Sequence, residues 1–272
     1  MNFVKMHGLG NDFIFINGIR VRFPNPGKNS RFLCDRRKGI GADQLLIVGK
    51  SKKADFMMEI YNADGSRVEM CGNGIRCLGK YVIDEKLTSK KELTVETLAG
   101  IQKIKALSKD RYTVDMGEPI LKGNEIPVKL KGRVINRPIR LEGREYRVTC
   151  VSMGNPHCVL FVDELKKQPV TELGPLLEHF YLFPKGTNVE FVNVLSSRQI
   201  EMRTWERGAG ETLACGSGAC AAVVAGRLNH LTENNVSVKL MGGSLDIEWS
   251  RSDNHIYMTG PAATVYKGEV EI

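Results

Sequence analysis

Two short segments of this chain combine a cysteine with closely spaced glycines. They read Cys71-Gly72-Asn73-Gly74 and Cys215-Gly216-Ser217-Gly218, and each precedes an apolar run of helical composition. We therefore expect each segment to open a helix, where unpaired N–H groups and the positive end of the helix dipole bind anions. A thiol at such a position is expected to have a lowered pKa. The pattern predicts two carboxylate-binding loops, each carrying an accessible thiolate.

Two thiols on opposite sides of one carbon can invert a stereocentre. One thiolate removes the α-proton, and the other thiol delivers a proton to the far face. Because the α-proton of an amino acid is weakly acidic, the site must stabilise the developing carbanion with oriented N–H groups away from water. Cys71 and Cys215 are thus the predicted catalytic acid/base pair of an amino-acid racemase or epimerase.

The two segments belong to a longer repeat with an offset of 215 − 71 = 144 residues. At the same offset, Asn11 corresponds to Asn155, Gln44 to Asn188 and Asn62 to Glu206. Similar loops alone would explain the repeated glycines but not these matched polar residues. The repeat indicates a duplicated chain.

The elements that must position these residues follow the same repeat. Apolar runs predict strands near residues 3–6, 13–16, 44–48 and 56–61, and helical spacing predicts helices over 75–86 and 219–229. We predict an α+β fold with two pseudo-symmetric domains, 1–117 and 118–262. Each is expected to be a mostly antiparallel sheet or barrel around a central helix, with the active site in the cleft between them. The strand at 263–272 is predicted to rejoin the first domain, and 118–142 reads as linker plus surface strand.

Composition narrows the class of protein. The net charge is +8, but the lysines and arginines are spread along the chain, which argues against nucleic-acid binding. No apolar run approaches the roughly 18 residues of a membrane span, and no secretory signal is visible, so we expect a cytoplasmic protein without membrane contact. Seven cysteines in such a chain are expected to be reduced thiols.

Metal and cofactor motifs are the next alternatives. Cys71 and Cys77 are six residues apart and Cys215 and Cys220 five apart, whereas structural zinc favours closer pairs, so no metal site is predicted. Dinucleotide, Walker and HExxH patterns are not found. A Schiff-base lysine has no motif that would mark it, so that alternative stays open from the residues alone. Our prediction is that no cofactor is used.

Several motifs together closely resemble the diaminopimelate epimerase family. The resemblance extends from the first residues to the closing residues 258–262. It is carried by residues 7–13 (HGLGNDF), 62–66 (NADGS), 71–77 (CGNGIRC), 152–158 (SMGNPHC) and 206–220 (ERGAGETLACGSGAC).

The resemblance implies interconversion of LL- and meso-diaminopimelate, in lysine and peptidoglycan-precursor synthesis, by a two-base mechanism without pyridoxal phosphate. It also implies a homodimer. Cys71 would take the proton from the LL isomer and Cys215 from the meso isomer. The reacting ammonium group would be held by Asn62, Glu206 and the Arg207 backbone. The reacting carboxylate would be bound by the main-chain amides of Gly72, Asn73, Gly216 and Ser217. The distal centre would be bound by Asn11, Asn155, Asn188 and the Arg207 side chain.

Three further residues have two interpretations each. Gln44 matches a family position near the substrate, but it can also be a polar residue at a strand edge. His157 is predicted to tune a catalytic thiol together with Glu206, although a buried histidine with satisfied hydrogen bonds would look the same. Asp12, like the carboxylates at 64 and 211, can belong to the site, or it can instead cap or brace a loop.

Other functions remain as alternatives. A proline or hydroxyproline racemase would use the same pair of thiols, but it does not need residues that read a distal centre. A non-catalytic amino-acid-binding relative would be expected to have lost one of the two cysteines. A redox sensor would form a disulfide between Cys71 and Cys215, which we interpret as a side reaction of the mechanism.

Overall fold

The computed structural model describes residues 1–20 and 22–272. The chain forms two compact units: unit 1 comprises Met1–Asp115 and Thr259–Ile272, and unit 2 comprises Met116–Met258. The sequence placed the division between residues 117 and 118 and assigned 263–272 to the first domain. The α+β class, with two similar halves, is confirmed.

Unit 1 contains two helices and a mixed sheet. Its elements are β1 (Asn2–Gly8), β2 (Asn11–Asn17), α1 (Pro26–Leu33), β3 (Gln44–Gly49), β4 (Phe56–Asn62), β5 (Arg67–Val68), α2 (Gly72–Asp84), β6 (Glu92–Thr97), β7 (Gly100–Ala106), β8 (Arg111–Asp115) and, from the chain end, β18 (Ala263–Glu269).

Unit 2 repeats this order with an added first strand and a short 3-10 turn at Leu165–Lys167. Its elements are β9 (Arg137–Leu141), β10 (Arg144–Ser152), β11 (Pro156–Phe161), α3 (Val170–Glu178), β12 (Asn188–Ser196), β13 (Gln199–Glu206), β14 (Gly210–Thr212), α4 (Gly216–Leu228), β15 (Asn235–Leu240), β16 (Gly243–Trp249) and β17 (Ile256–Pro261), which runs across the boundary into unit 1.

The strands of the two units pair in the same way. In unit 1, β1 and β2 are antiparallel, β2 and β3 parallel, β3 and β4 antiparallel, and β4 and β6 parallel. The corresponding unit 2 pairs are β10 with β11, β11 with β12, β12 with β13, and β13 with β15, in the same orientations. The duplication read from the sequence is therefore a duplication of topology.

Each unit has one central helix enclosed by its strands. Ten of the 13 residues of α2, and ten of the 13 in α4, are buried, so these helices have almost no solvent-facing side. Both helices begin three residues before the predicted starts at Ile75 and Ala219. The helical spacing of apolar residues gave the later starts because glycines, poor in helix interiors, occupy the first turn. The Cys-Gly-X-Gly segments open the helices, as expected.

The interpretation of 118–142 as a linker plus surface strand is wrong in its linker part, whereas its last residues do form the mostly exposed strand β9 (Arg137–Leu141). Ile126, Val128 and Val134 are buried and pack in the core of unit 2 with residues of β10, β11 and α3. Lysines and prolines between these positions mask the apolar pattern in the sequence. The segment therefore stabilises unit 2. Among the described residues, no helix is long and apolar enough to cross a membrane.

Candidate active site

Cys71 and Cys215 are the N-cap residues of the two central helices. Both have extended backbones, and the Sγ of each accepts a hydrogen bond from the N–H three residues later, Gly74 and Gly218, at 3.4 Å. The helical hydrogen bonds then start with Ile75 N–H to Cys71 O and Ala219 N–H to Cys215 O. The N–H groups of the two residues after each cysteine therefore lie before the first of these helical bonds, at the positive end of the helix dipole. These are Gly72, Asn73, Gly216 and Ser217.

In unit 1, Asn11 lies next to the Cys71 thiol. Its Oδ1 accepts from Cys71 Sγ at 3.6 Å and from Asn73 Nδ2 at 3.3 Å, while its Nδ2 donates to Asp43 at 2.8 Å. Asp43 and Asp12 are held by Arg36, and Asp12 also pairs with Lys5. Asp12 thus braces the loop that presents Asn11, one of its two predicted roles.

Gln44 and Asn62 form a second polar pair in unit 1, at the start of β3 and the end of β4. Gln44 Nε2 donates to Asn62 Oδ1 at 2.9 Å, and Asn62 Nδ2 donates to Ser66 Oγ at 3.0 Å. Gln44 Oε1 is buried without a hydrogen-bond partner among the described residues. A buried acceptor of this kind marks a place where a donor would be stabilising.

A fully buried arginine lies one turn below Cys71. Arg76 donates to Asn73 Oδ1 at 2.9 Å, to Gly72 O at 3.4 Å and to Pro261 O at 3.3 Å. The guanidinium therefore fixes the first turn of α2 and the side chain of Asn73. It also places a positive charge under the loop that carries Cys71, at the helix end where the dipole is already positive.

In unit 2, the polar groups next to Cys215 form a continuous series. Ser217 Oγ lies 3.6 Å from Cys215 Sγ, Asn155 Nδ2 donates to Ser217 Oγ at 3.3 Å, and His157 Nε2 lies 3.0 Å from Asn155 Oδ1. His157 therefore does not touch the thiol and is connected to it only through Asn155 and Ser217. His157 is completely buried.

The sequence analysis missed Glu190. This residue lies on β12, is 0% exposed, and its Oε1 is 2.8 Å from His157 Nδ1. Its Oε1 would also stand only 2.8 Å from a Cβ built on Gly218, so the carboxyl lies directly under the first turn of α4. The available signal was a glutamate inside the apolar strand Val189 to Val194, because a charged residue at a buried strand position needs a partner.

The remaining predicted residues of unit 2 lie at the start of β12 (Asn188), at the end of β13 (Glu206) and directly after it (Arg207). Asn188 is buried; its Oδ1 accepts from Arg207 N–H at 3.0 Å and its Nδ2 donates to Pro156 O at 2.8 Å. Glu206 accepts from Thr212 Oγ1 at 2.5 Å. The Arg207 guanidinium is exposed and donates to Lys185 O at 3.0 Å, packing over Gly186.

The expectation of a lowered thiol pKa is wrong for Cys215. Burial raises the pKa of this thiol well above its usual value, and the charges of Glu206 and Glu190 raise the pKa further. Hydrogen bonds from Ser217 and from Gly218 N–H oppose the shift but are outweighed. The helix N-terminus was visible in the sequence, whereas the two carboxyl groups around the thiol are brought there by β12 and β13.

No group of three or more metal-ligating side chains is found in the part of the chain that the structure describes. A surface cavity of about 820 Å³ lies in unit 2 between Arg227 in the last turn of α4 and Trp249 on β16. Arg227 is 12 residues from Cys215, which is about 18 Å along a helix. This cavity is therefore separate from the candidate active site.

Comparisons with known proteins identify the family. A family model described as diaminopimelate epimerase matches residues 3–122 and 149–265. The diaminopimelate epimerase of Acetivibrio thermocellus is 50% identical over 277 residues, covering 100% of this chain and 99% of the relative.

Two solved structures share the fold at low identity. A phenazine biosynthesis protein of the PhzF family from Bacillus anthracis has a TM-score of 0.73 at 15% identity, covering 100% of this chain and 99% of that protein. A probable proline racemase from Agrobacterium radiobacter, solved with bound carbonate, has a TM-score of 0.73 at 13% identity, covering 100% and 93%. By its family match and its full-length identity, this chain belongs to the diaminopimelate epimerase family of isomerases.

Proposed function

We propose that this protein interconverts LL- and meso-diaminopimelate by proton transfer at one α-carbon, with Cys71 and Cys215 as the two bases and without pyridoxal phosphate. One observation carries the proposal: both thiols cap buried helices of duplicated units, each at the helix N-terminus, where the positive end of the helix dipole lies. A substrate that places its α-carbon between such loops would meet one thiol on each face.

The roles of the two thiols follow from the chemistry of inversion at a carbon atom. From the LL isomer, the Cys71 thiolate removes the α-proton while the Cys215 thiol delivers its proton to the opposite face. From the meso isomer the roles exchange. The carbanionic charge that develops on the reacting carboxylate would be stabilised by the N–H groups of Gly72, Asn73, Gly216 and Ser217.

The reacting ammonium group is assigned to Asn62, Glu206 and the main chain of Arg207. Glu206 supplies the only carboxylate in this set, so it can neutralise the ammonium charge directly. That pairing would also act on Cys215. Because the Glu206 charge raises the pKa of this thiol, a bound cation beside Glu206 offsets that charge and favours the thiolate.

The distal end of the substrate is assigned to Asn11, Asn155, Asn188 and the Arg207 side chain. Asn188 holds the Arg207 main chain at 3.0 Å, and Arg207 is exposed, which supports a carboxylate grip by its guanidinium. Gln44 is assigned a substrate contact because its buried Oε1 accepts no hydrogen bond from the described residues. Specific binding of this distal end would prevent simple amino acids from being racemised.

The test is to follow LL-diaminopimelate in D2O by NMR. With two bases, the meso product carries deuterium at the inverted centre from the first turnovers, while unreacted LL substrate keeps its proton. We expect Cys71→Ala and Cys215→Ala each to lower conversion by at least about 10²- to 10⁴-fold, the usual contribution of an acid/base group. Pyridoxal phosphate should have no effect.

Cys77→Ala is the matched control. Cys77 is buried inside α2, burial raises the pKa of its thiol to about 12, and it has no assigned role. This variant should keep the wild-type rate. If the reduced, folded protein converts proline or hydroxyproline and leaves diaminopimelate unchanged, the assigned substrate is wrong. If it binds diaminopimelate without exchange at Cα, the protein is a binding relative.

A cytoplasmic homodimer is the remaining part of the proposal, and it is based on the family resemblance. Light scattering during gel filtration is expected to give twice the chain mass of 30.3 kDa. A mass of one chain in the enzymatically active fractions would contradict the proposed homodimer.

A further inference from the structure

Glu190 is a buried acid that the mechanism above does not use. Its side chain is completely buried, Oε1 lies 2.8 Å from His157 Nδ1, and Oε2 has no hydrogen-bond partner among the described residues. A buried carboxylate with one unpartnered oxygen carries a full desolvation cost. A neutral carboxylic acid in the same place leaves only a carbonyl oxygen without a partner, which costs much less.

The hydrogen bonds between Glu190 and Cys215 run in one direction. Asn155 donates through Nδ2 to Ser217 Oγ, so its Oδ1 faces His157 Nε2, and an amide oxygen can only accept. His157 Nε2 therefore carries a hydrogen. Since Ser217 Oγ already accepts from Asn155, its own hydrogen is available for Cys215 Sγ at 3.6 Å. A hydroxyl hydrogen directed at the sulfur stabilises the thiolate form of Cys215.

These hydrogen bonds do not fix whether Glu190 Oε1 or His157 Nδ1 carries the hydrogen that lies between them. The titratable groups that face this pair are Glu206 on β13, Cys215 before α4 and Cys158 on β11. All three are acids that become anionic. Burial raises the pKa of Glu190, although the neighbouring His157 lowers it in part. A neutral Glu190 removes the repulsion that its charge would exert on a Cys215 thiolate.

We propose that Glu190 is a positioning residue for Cys215: as a neutral carboxylic acid it donates to His157 Nδ1, and the series His157, Asn155 and Ser217 then directs a hydroxyl hydrogen at the Cys215 sulfur. The inference rests on the proposed function only for the role of Cys215 in proton transfer. The hydrogen-bond arrangement itself requires no substrate.

Unit 1 lacks this arrangement at the equivalent positions. Subtracting 144 from 157 and 190 gives Phe13 and Leu46, both buried and apolar. Leu46 lies under Gly74 as Glu190 lies under Gly218. Cys71 instead donates to Asn11 Oδ1 directly. The proposed device therefore serves one thiol of the two, and Glu190→Leu would give unit 2 the residue that unit 1 already has.

The experiment uses ¹⁵N-histidine-labelled protein without substrate. Long-range ¹H–¹⁵N spectra near neutral pH distinguish N–H from bare ring nitrogens for each of the five histidines, and a His157→Gln sample identifies the His157 signals. We expect Nε2 of His157 to carry hydrogen and Nδ1 to accept. Glu190→Gln should keep this tautomer because its amide can donate to Nδ1, whereas Glu190→Leu should lose it.

Glu201→Gln is the control, since Glu201 lies on β13 and bonds to Asn193 instead. Its His157 signals should match wild type. Hydrogen on both ring nitrogens, or on Nδ1 alone, in the wild-type protein would overturn the proposal. In turnover, Glu190→Leu should lower kcat at least tenfold more than Glu190→Gln. If His157 has the expected tautomer but the protein does not convert diaminopimelate, this inference is supported and the proposed function is rejected.

Discussion

At the scale of single residues, the two thiols occupy unlike electrostatic surroundings. Below Cys71 lies the buried cation Arg76, whereas the equivalent position below Cys215 is Cys220, and the buried acid Glu190 lies nearby on β12. The repeat keeps the cap geometry but has a neutral cysteine in unit 2 where unit 1 has a buried arginine. The proposed pair of bases, whose roles exchange between the two directions of the reaction, benefits from different surroundings, because one has to be a thiolate while the other is a thiol.

Asp12 allows a test of stability at this scale. Burial would raise its pKa, but hydrogen bonds from Arg36 and Lys5 outweigh this and lower the pKa to about 2. The stabilising contribution is therefore complete above the ordinary value of 3.8 and is lost as the pH falls toward 2. Asp12→Asn would leave Lys5, which is 6% exposed, without its counter-ion. We expect a loss of about 3 kcal/mol in the free energy of unfolding at pH 7.

Asp253→Asn is the control for that variant. Hydrogen bonds from Tyr257 and Ser250 also lower the pKa of Asp253 to about 2, but this carboxylate is exposed to solvent. Its substitution should change the urea unfolding midpoint at pH 7 far less than Asp12→Asn does. Equal shifts for the two variants would show that burial of the Lys5–Asp12 pair is not what matters.

At the scale of elements, the first turns of α2 and α4 require glycine for steric reasons. A Cβ at position 218 would stand 2.8 Å from Glu190 Oε1, and one at 74 would stand 2.9 Å from Leu46 Cδ2. The Glu190 oxygen is fixed by its hydrogen bond to His157 at 2.8 Å, whereas Leu46 ends in a methyl group that can turn. A side chain added at position 218 would therefore contact a fixed atom, whereas one added at position 74 would contact an atom that can move.

Alanine at the two positions should therefore have unequal effects. We expect Gly218→Ala to reduce the free energy of unfolding by about 1–3 kcal/mol, because the added methyl group overpacks a fixed carboxyl. Gly74→Ala should cost less, since Leu46 can adjust and alanine has better helix propensity than glycine by about 1 kcal/mol. Urea unfolding of both variants measures the difference. A larger loss for Gly74→Ala would contradict the argument.

At the scale of the whole molecule, unit 1 is completed by the last residues of the chain. Strand β18 pairs antiparallel with β1, from Met6 opposite Thr264 to Asn2 opposite Glu269. Phe3 stacks edge-on against Tyr266 at 5.8 Å and packs over Gly268. The strand that begins the chain is thus held by the strand that ends it, and unit 1 folds from segments far apart in sequence.

Removal of residues 263–272 should therefore weaken unit 1 selectively. Hydrogen exchange followed by mass spectrometry is expected to show faster exchange in β1 and β2, because β1 becomes an unpaired edge. Peptides from residues 116–258 form the internal control and should keep their protection. Uniform loss of protection along the chain, or none, would contradict the independence of the two units.

The sequence by itself predicted the two thiol-bearing loops, the repeat and the family. Two Cys-Gly-X-Gly segments at a constant offset predicted the cap thiols, because a helix start depends on local residue types, and the motifs identified the family. Asn11, Asn73, Asn155 and Ser217 were predicted as site residues, and each lies within hydrogen-bonding distance of a cap thiol or of another member of this set.

Only the tertiary structure decided the charges around each thiol. Glu190 is a glutamate within an apolar strand, and only the pairing of β11 with β12 shows that its partner is His157, under α4. The pKa of Cys215 was predicted with the wrong sign for the same reason: helix dipoles act locally and can be read from sequence, whereas burial and carboxylates from other strands depend on the packed fold. The core role of 118–142 was hidden likewise, because its apolar residues find their partners only in the assembled unit.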